Sequence, residues 1–244
     1  VIVNQRREGW EIIYHRAHAL LAAQIAGQWH RPERVERVAE TIAAIAQHDD
    51  LEREWQGDHL SPAGAPLDFT LSDPDPGLVE PWRHLIEDAR YRGRWVALLT
   101  SMHVSFLTAP EAGADSRLDA FRAELDKQQA TWRKELGVTK DEAARSYAFL
   151  QWCDRLSLIL CQRLLPDRER KLEISPGPDG VRYDLWQRAD GSVVVEPWPF
   201  RDERFSVNVD ACVLTQLSFA SNAELVAALK AAPATTLTWE LVKD

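Results

Sequence analysis

Ile42-Ala-Ala-Ile-Ala-Gln-His-Asp-Asp50 is an apolar helical run that ends in a His-Asp pair, and its reading decides the architecture. Counting back from Asp49, the residues Ile45, Ile42, Val38 and Val35 recur every three or four positions, which makes the carboxylate the last member of a buried helical stripe. An acid in that place needs a partner, because an unpaired buried charge costs several kcal/mol or is neutralised by protonation. Asp49 therefore calls for a cation, a hydrogen-bond network or a metal ion, and His48 beside it offers a second ligand.

Working outward, the same anomaly recurs. Over residues 15–29 the stripe His18, Leu21, Ala22, Ile25 and Trp29 includes a histidine. Pro32 and Glu33 suit the first turn of the helix that leads to His48. A short helix around Trp82 to Ala89 precedes the stripe Trp95, Leu99, Met102, His103 and Phe106. Leu118 to Leu136 forms an amphipathic helix with Gly137 as its C-cap. Thr139-Lys-Asp-Glu142 has capping-box spacing and opens a helix to about residue 163, on which Tyr147, Leu150, Asp154, Leu158 and Cys161 share a face. Separate helices thus each place a His or an Asp among core residues. Imidazole and carboxylate donors suit Mn, Fe, Co, Ni or Zn, whereas Cys153, Cys161 and Cys212 form no Cys-x-x-Cys arrangement that would suggest structural zinc.

After Pro166 the pattern changes to short β-prone runs: Lys171 to Ser175, Val181 to Gln187, Val193 to Trp198, Phe205 to Val209, Val213 to Phe219 and Thr235 to Val242. Asp190-Gly191 marks a hairpin, and Ser221-Asn-Ala-Glu224 caps one helix over Leu225 to Leu229. The expected fold class is α+β. A mainly α-helical bundle over residues 15–166 is followed by a small antiparallel β-sheet domain with one helix over residues 167–244. Strands within residues 1–14 could join that sheet. Between Leu51 and Pro81, prolines and glycines punctuate a long connection carrying Trp55, Asp58, His59, Asp68 and Phe69, which suits either a lid or a surface crossing.

The 244-residue chain has a net charge of -9, 45% hydrophobic and 27% charged residues, an ordinary globular composition. The acidic balance argues against a nucleic-acid backbone or an anionic membrane as the main partner. The first residues lack the apolar run of a signal peptide and no stretch has the length of a membrane span, so a cytoplasmic location is expected. No Gly-x-Gly-x-x-Gly, Walker loop or Gly-x-Ser-x-Gly elbow is present. The sequence allows a homodimer without requiring one.

The ordered set His18, His48-Asp49, His103 and Asp154 on successive helices resembles the HD-domain phosphohydrolases. In those proteins a His, a His-Asp pair and a later Asp hold one or two divalent metals inside a helical bundle. The chain is more closely similar, over nearly its whole length, to a bacterial family of unknown function. That likeness rests on Trp10-Glu-Ile-Ile13, Ser101-Met-His103, Asp154-Arg-Leu-Ser157-Leu158 and Trp198-Pro-Phe200.

The HD resemblance implies a divalent metal ion (Mn, Fe, Co, Ni, Zn or Mg) held by His18, His48, Asp49, His103 and Asp154, all within one cluster. It implies metal-assisted hydrolysis of a small phosphorylated metabolite or nucleotide, with Asp49 orienting the water and His103 or Asp50 moving a proton. Arg53, Arg16 and Arg155 are the candidate phosphate contacts. Arg53 would stand in for a lysine that many HD proteins carry after the pair, where this chain has Asp50-Leu51-Glu52-Arg53. Two alternatives are a non-catalytic metal- or ligand-binding sensory protein on the same fold, and a purely structural polar core.

Overall fold

A β-hairpin opens the chain in the computed structural model, which describes residues 1–30, 37–51, 59–71, 79–111, 113, 115–166 and 170–244. Strands β1 (Ile2–Arg6) and β2 (Gly9–Ile13) pair with Ile2 opposite Ile13. Helices α1 (His15–Gln28), α2 (Val38–Gln47), α3 (Val79–Arg90), α4 (Arg94–Leu107), α5 (Ser116–Leu136) and α6 (Lys140–Cys161) follow. The chain then forms β3 (Leu172–Pro176), β4 (Arg182–Gln187), β5 (Val193–Glu196) and β6 (Arg204–Leu214), and ends with α7 (Asn222–Ala231) and β7 (Ala234–Val242).

The local signals have clear physical counterparts. Gly137 ends α5 in the left-handed region at φ 66°, and the Thr139–Glu142 capping box is complete in both directions. Trp29, Trp95 and Trp132 are buried. Residues 31–36, where Pro32 and Glu33 are expected to open a helix, lie outside the described residues, as do Glu52, Arg53, Trp55 and Asp58. Among the described residues no helix is long and apolar enough to cross a membrane.

The expected architecture, an HD-like helical bundle followed by a small antiparallel sheet, is corrected by the strand order. The seven strands of the described residues form one sheet in the order β1-β2-β6-β7-β5-β4-β3, mixed because β5 and β7 run parallel. Both ends of the chain build it, since β2 pairs with β6. Helices and sheet are interleaved: α1 packs against β6 and α6 against β3. A single core cluster joins Leu21 and Ile25 of α1, Leu150 and Leu156 of α6, and Val207 and Leu241 of the sheet. Periodicity reports which face of an element is apolar, and says nothing about which element covers that face.

Strand β6 extends the expected Phe205 to Val209 strand as far as Leu214, while the expected strand Val213 to Phe219 is corrected, since residues 215–219 belong to no strand. The burial of β6 alternates strictly from Phe205 to Ala211, with Asp210 pointing outward, so a polar residue that reads as a break is simply the solvent face of one long strand. The close approach of β2 to β6 depends on Gly9, whose φ is 140° and where an added Cβ would lie 1.9 Å from the Leu214 carbonyl oxygen.

Several contacts fix the helices that carry the site. The C-terminal end of α1 is tied to the turn after β5, with the His30 amide donating to Pro199 (2.7 Å) and the Arg201 amide to Gln28 (2.9 Å). Trp29 there packs edge-on against Trp152 of α6 at 4.7 Å between ring centroids. Just past the C-terminal end of α6, Arg163 grips the buried Glu11 carboxylate through two hydrogen bonds of 2.7 and 2.6 Å, and Asn4 donates to the Cys161 carbonyl. Helices α1 and α6 therefore meet at a set spacing.

Candidate metal centre

Four elements converge on one point. His18 comes from the first turn of α1, His48 caps the C-terminus of α2 with Asp49 one residue beyond, His103 lies on α4 and Asp154 on α6. His18, His48 and Asp49 offer ligand atoms within 4.8 Å of one another, and so do His48, His103 and Asp154. The three imidazoles are buried at 0–2% exposure, while the side chains of Asp49 and Asp154 keep 23% and 13% of theirs. His48 packs edge-to-face between His18 and His103, with ring centroids 5.2 and 4.9 Å away.

Hydrogen bonding decides which ring nitrogens face the centre. His48 Nδ1 lies 2.7 Å from the Ile45 carbonyl oxygen, which can only accept, so Nδ1 carries a proton. Ser157 donates its hydroxyl proton to the Asp154 carbonyl at 2.8 Å and therefore accepts from His18 Nδ1 at 3.0 Å. Both Nε2 atoms are then directed at carboxylates: His18 Nε2 is 2.8 Å from Asp49 Oδ2, and His48 Nε2 is 3.1 Å from Asp154 Oδ1. A neutral imidazole in this tautomer would set its lone pair against a carboxylate lone pair. The arrangement requires either a second proton on each ring or a cation between the donors. The donor set fits a divalent metal of the imidazole-preferring kind, with the Nδ1 bonds orienting the rings as second-layer partners do in metal sites.

Titration behaviour follows from the same geometry. Burial opposes the charge on His48, but the Asp154 and Asp49 carboxylates outweigh it and push its pKa up to about 9. Burial likewise opposes charge on Asp49 and Asp154; the imidazoles nevertheless hold Asp49 well below the ordinary carboxylate range and lower Asp154. Burial, reinforced by the neighbouring His48 charge, holds His103 down to about 4, so its ring is neutral. Its Nδ1 lies 3.4 Å from the Tyr147 hydroxyl, a phenol that burial keeps protonated.

All five residues expected as ligands thus lie in one cluster. Asp50 and Arg16 lie at its edge and pair with each other at 3.4 Å. They line a cleft of about 320 Å³ together with Gln47. Arg155 sits half-buried on α6, one residue past Asp154 and so about 100° round the helix, with no hydrogen bond to the cluster. Arg53 lies outside the described residues.

Sequence reasoning assigned no role to Ser157, Tyr147 or His15. Ser157 stands three residues after Asp154 and His15 three before His18, spacings that share a helical face and were legible in principle. The His15 ring meets His18 edge-on at 6.1 Å and Phe69 at 5.0 Å, which closes the α1 side of the cluster.

Residues 1–216 match a family described as a protein of unknown function (DUF3891). No curated protein and no solved structure matches the chain. The match covers most of the sequence, and the chain belongs to the DUF3891 family.

Proposed function

We propose that this protein is a metal-dependent phosphohydrolase of HD type that hydrolyses a phosphomonoester or phosphodiester of a small metabolite or nucleotide. The observation that carries the reading is the pair of committed tautomers: both Nδ1 protons are spent on internal acceptors, leaving two Nε2 atoms facing two carboxylates. His18, His48, Asp49 and Asp154 would hold the divalent ion, with His103 completing the second triad. When bound, such an ion supplies Lewis acidity, lowering the pKa of a water and polarising a phosphoryl oxygen.

The chain's own groups would divide the remaining work. Asp49 is the more exposed of the two carboxylates and is placed to accept a hydrogen bond from the attacking water at its free oxygen. His103 is better suited to ligation or to donating a hydrogen bond than to shuttling protons, because its pKa is far below neutrality. Asp50, ion-paired with Arg16 at the edge of the cleft and partly open to water, is the better placed proton carrier. Arg16 can reach a phosphate only by exchanging its Asp50 partner for it.

The burial of all three imidazoles favours a second reading, a non-catalytic metal- or ligand-binding sensory protein. Elemental analysis of protein purified without added metal, beside Asp49→Ala, tests the common part. A near-stoichiometric Mn, Fe, Co, Ni or Zn content that disappears in the variant is expected. Turnover of p-nitrophenyl phosphate or bis(p-nitrophenyl) phosphate by the loaded protein separates the two readings. Metal absent from both proteins after supplementation with Mn or Mg overturns them together.

A further inference from the structure

The cleft beside the cluster contains a polar group that nothing among the described residues satisfies. Gln47 is 5% exposed, and neither its amide oxygen nor its amide nitrogen has a hydrogen-bond partner. Native structures rarely bury an amide this way, and a group left so calls for a partner. Gln47 precedes His48 in the chain and lines the same cleft as Asp50, whose neighbour Asp49 belongs to the candidate metal centre.

The rest of the wall narrows the ligand's chemistry. Arg16 and Asp50 pair at 3.4 Å, and Asp88 adds a second carboxylate to the wall, which disfavours a densely anionic occupant. Leu85 supplies an apolar surface. Tyr91 leaves a large aromatic ring 84% exposed at the rim, where a planar ligand could stack on it, and exposed Arg92 adds one cation. A volume of about 320 Å³ falls at the lower end of the ~300–1,000 Å³ typical of small-molecule sites.

We infer that this cleft binds a small planar ligand bearing an amide edge, an N–H beside a carbonyl, which pairs with the side-chain amide of Gln47 once that buried side chain turns toward the cleft. A primary amide presents one donor and one acceptor side by side, and only a group with the reciprocal pair satisfies both at once. Tyr91 at the rim offers its ring for stacking, and Leu85 adds an apolar contact. The inference rests on the phosphohydrolase reading only for orientation: the amide-bearing part would be the organic portion of the substrate, its phosphoryl end turned to the histidines. The same edge occurs on a lactam ring such as a nucleobase and on an open carboxamide.

Ligand-observed NMR titrations on chelator-treated protein test this without metal or turnover. The probes are uracil, nicotinamide and 1,3-dimethyluracil, which keeps the ring and carbonyls of uracil but has no N–H. Saturable binding of uracil or nicotinamide is expected, and which of them binds tells a ring lactam from an open carboxamide. For a lactam site, 1,3-dimethyluracil should bind about tenfold more weakly than uracil. In either case Gln47→Met, which keeps the volume and removes the amide, should weaken the bound probe by a similar factor. Tyr91→Ala is a second variant at an exposed position that cannot disturb the core, and it should weaken the same probe. Failure of both uracil and nicotinamide to bind, or full affinity in both variants, overturns the inference. Uracil binding matched by 1,3-dimethyluracil overturns it as well. Probe binding by a protein that takes up no metal would sink the phosphohydrolase reading and leave the cleft standing. Metal-dependent turnover with no probe binding would do the reverse.

Discussion

Replacing Asp154 with asparagine isolates the electrostatics of the cluster. In the metal-free protein, the protonated His48 ring is held by the Asp154 carboxylate at 3.1 Å, with Asp49 also contributing, and its pKa lies at about 9. The unfolded chain binds the same proton with a pKa near 6.5. A raised folded-state pKa means stability that is fully present below about pH 6.5 and lost as pH rises through 9. At pH 7 the difference amounts to about 2–3 kcal/mol, and it has almost vanished by about pH 9.5. Asp154→Asn keeps the size of the side chain and the backbone carbonyl that Ser157 binds, but removes the charge. The buried ring then loses its main support and gives up its proton. Urea denaturation of chelator-treated wild type and variant at pH 6, 7.5 and 9.5 should show the largest penalty at pH 6, about 2–3 kcal/mol at neutrality, and almost none at pH 9.5. At neutrality this corresponds to a Tm lower by roughly 5–10 °C. A penalty that stays constant or grows as pH rises would refute the assignment of His48 as an imidazolium held by Asp154.

Other perturbations follow from single contacts. Ser157→Ala removes the acceptor that fixes the His18 tautomer, and metal affinity measured against a competing chelator should fall roughly tenfold to a hundredfold while the fold persists. Thr139→Ala breaks the capping box of α6 and should cost about 1 kcal/mol in chemical denaturation, with metal content unchanged. Gly9→Ala forces a Cβ into the Leu214 carbonyl; hydrogen exchange should show lost protection where β2 meets β6, and an unaltered pattern there would contradict the close approach.

Much of the helical layer was legible because its signals are local. The Thr139-x-x-Glu142 spacing, Gly137 and the three-to-four-residue apolar recurrences each involve interactions within a turn or two, so they act on any fold that contains them. The same logic singled out His18, His48, Asp49, His103 and Asp154, since a polar group on an apolar stripe is anomalous wherever that stripe is buried. The sheet resisted this reading. Its pairings join Trp10 to Leu214 and Val193 to Leu241, partners distant in sequence or reached by a crossover, and no local period encodes such pairs.

The sequence by itself determined which residues are too polar for their positions, and hence that the helices must share a partner for their imidazoles and carboxylates. Only the tertiary structure decided that one mixed sheet binds both ends of the chain beneath those helices, that Ser157 and the Ile45 carbonyl choose the ring tautomers, and that Gln47 is left unsatisfied beside them. The physical reason is range: an apolar stripe is stabilised by burial against any complementary surface, whereas a hydrogen bond between α1 and α6 exists only once the sheet and the aromatic contacts have set their distance.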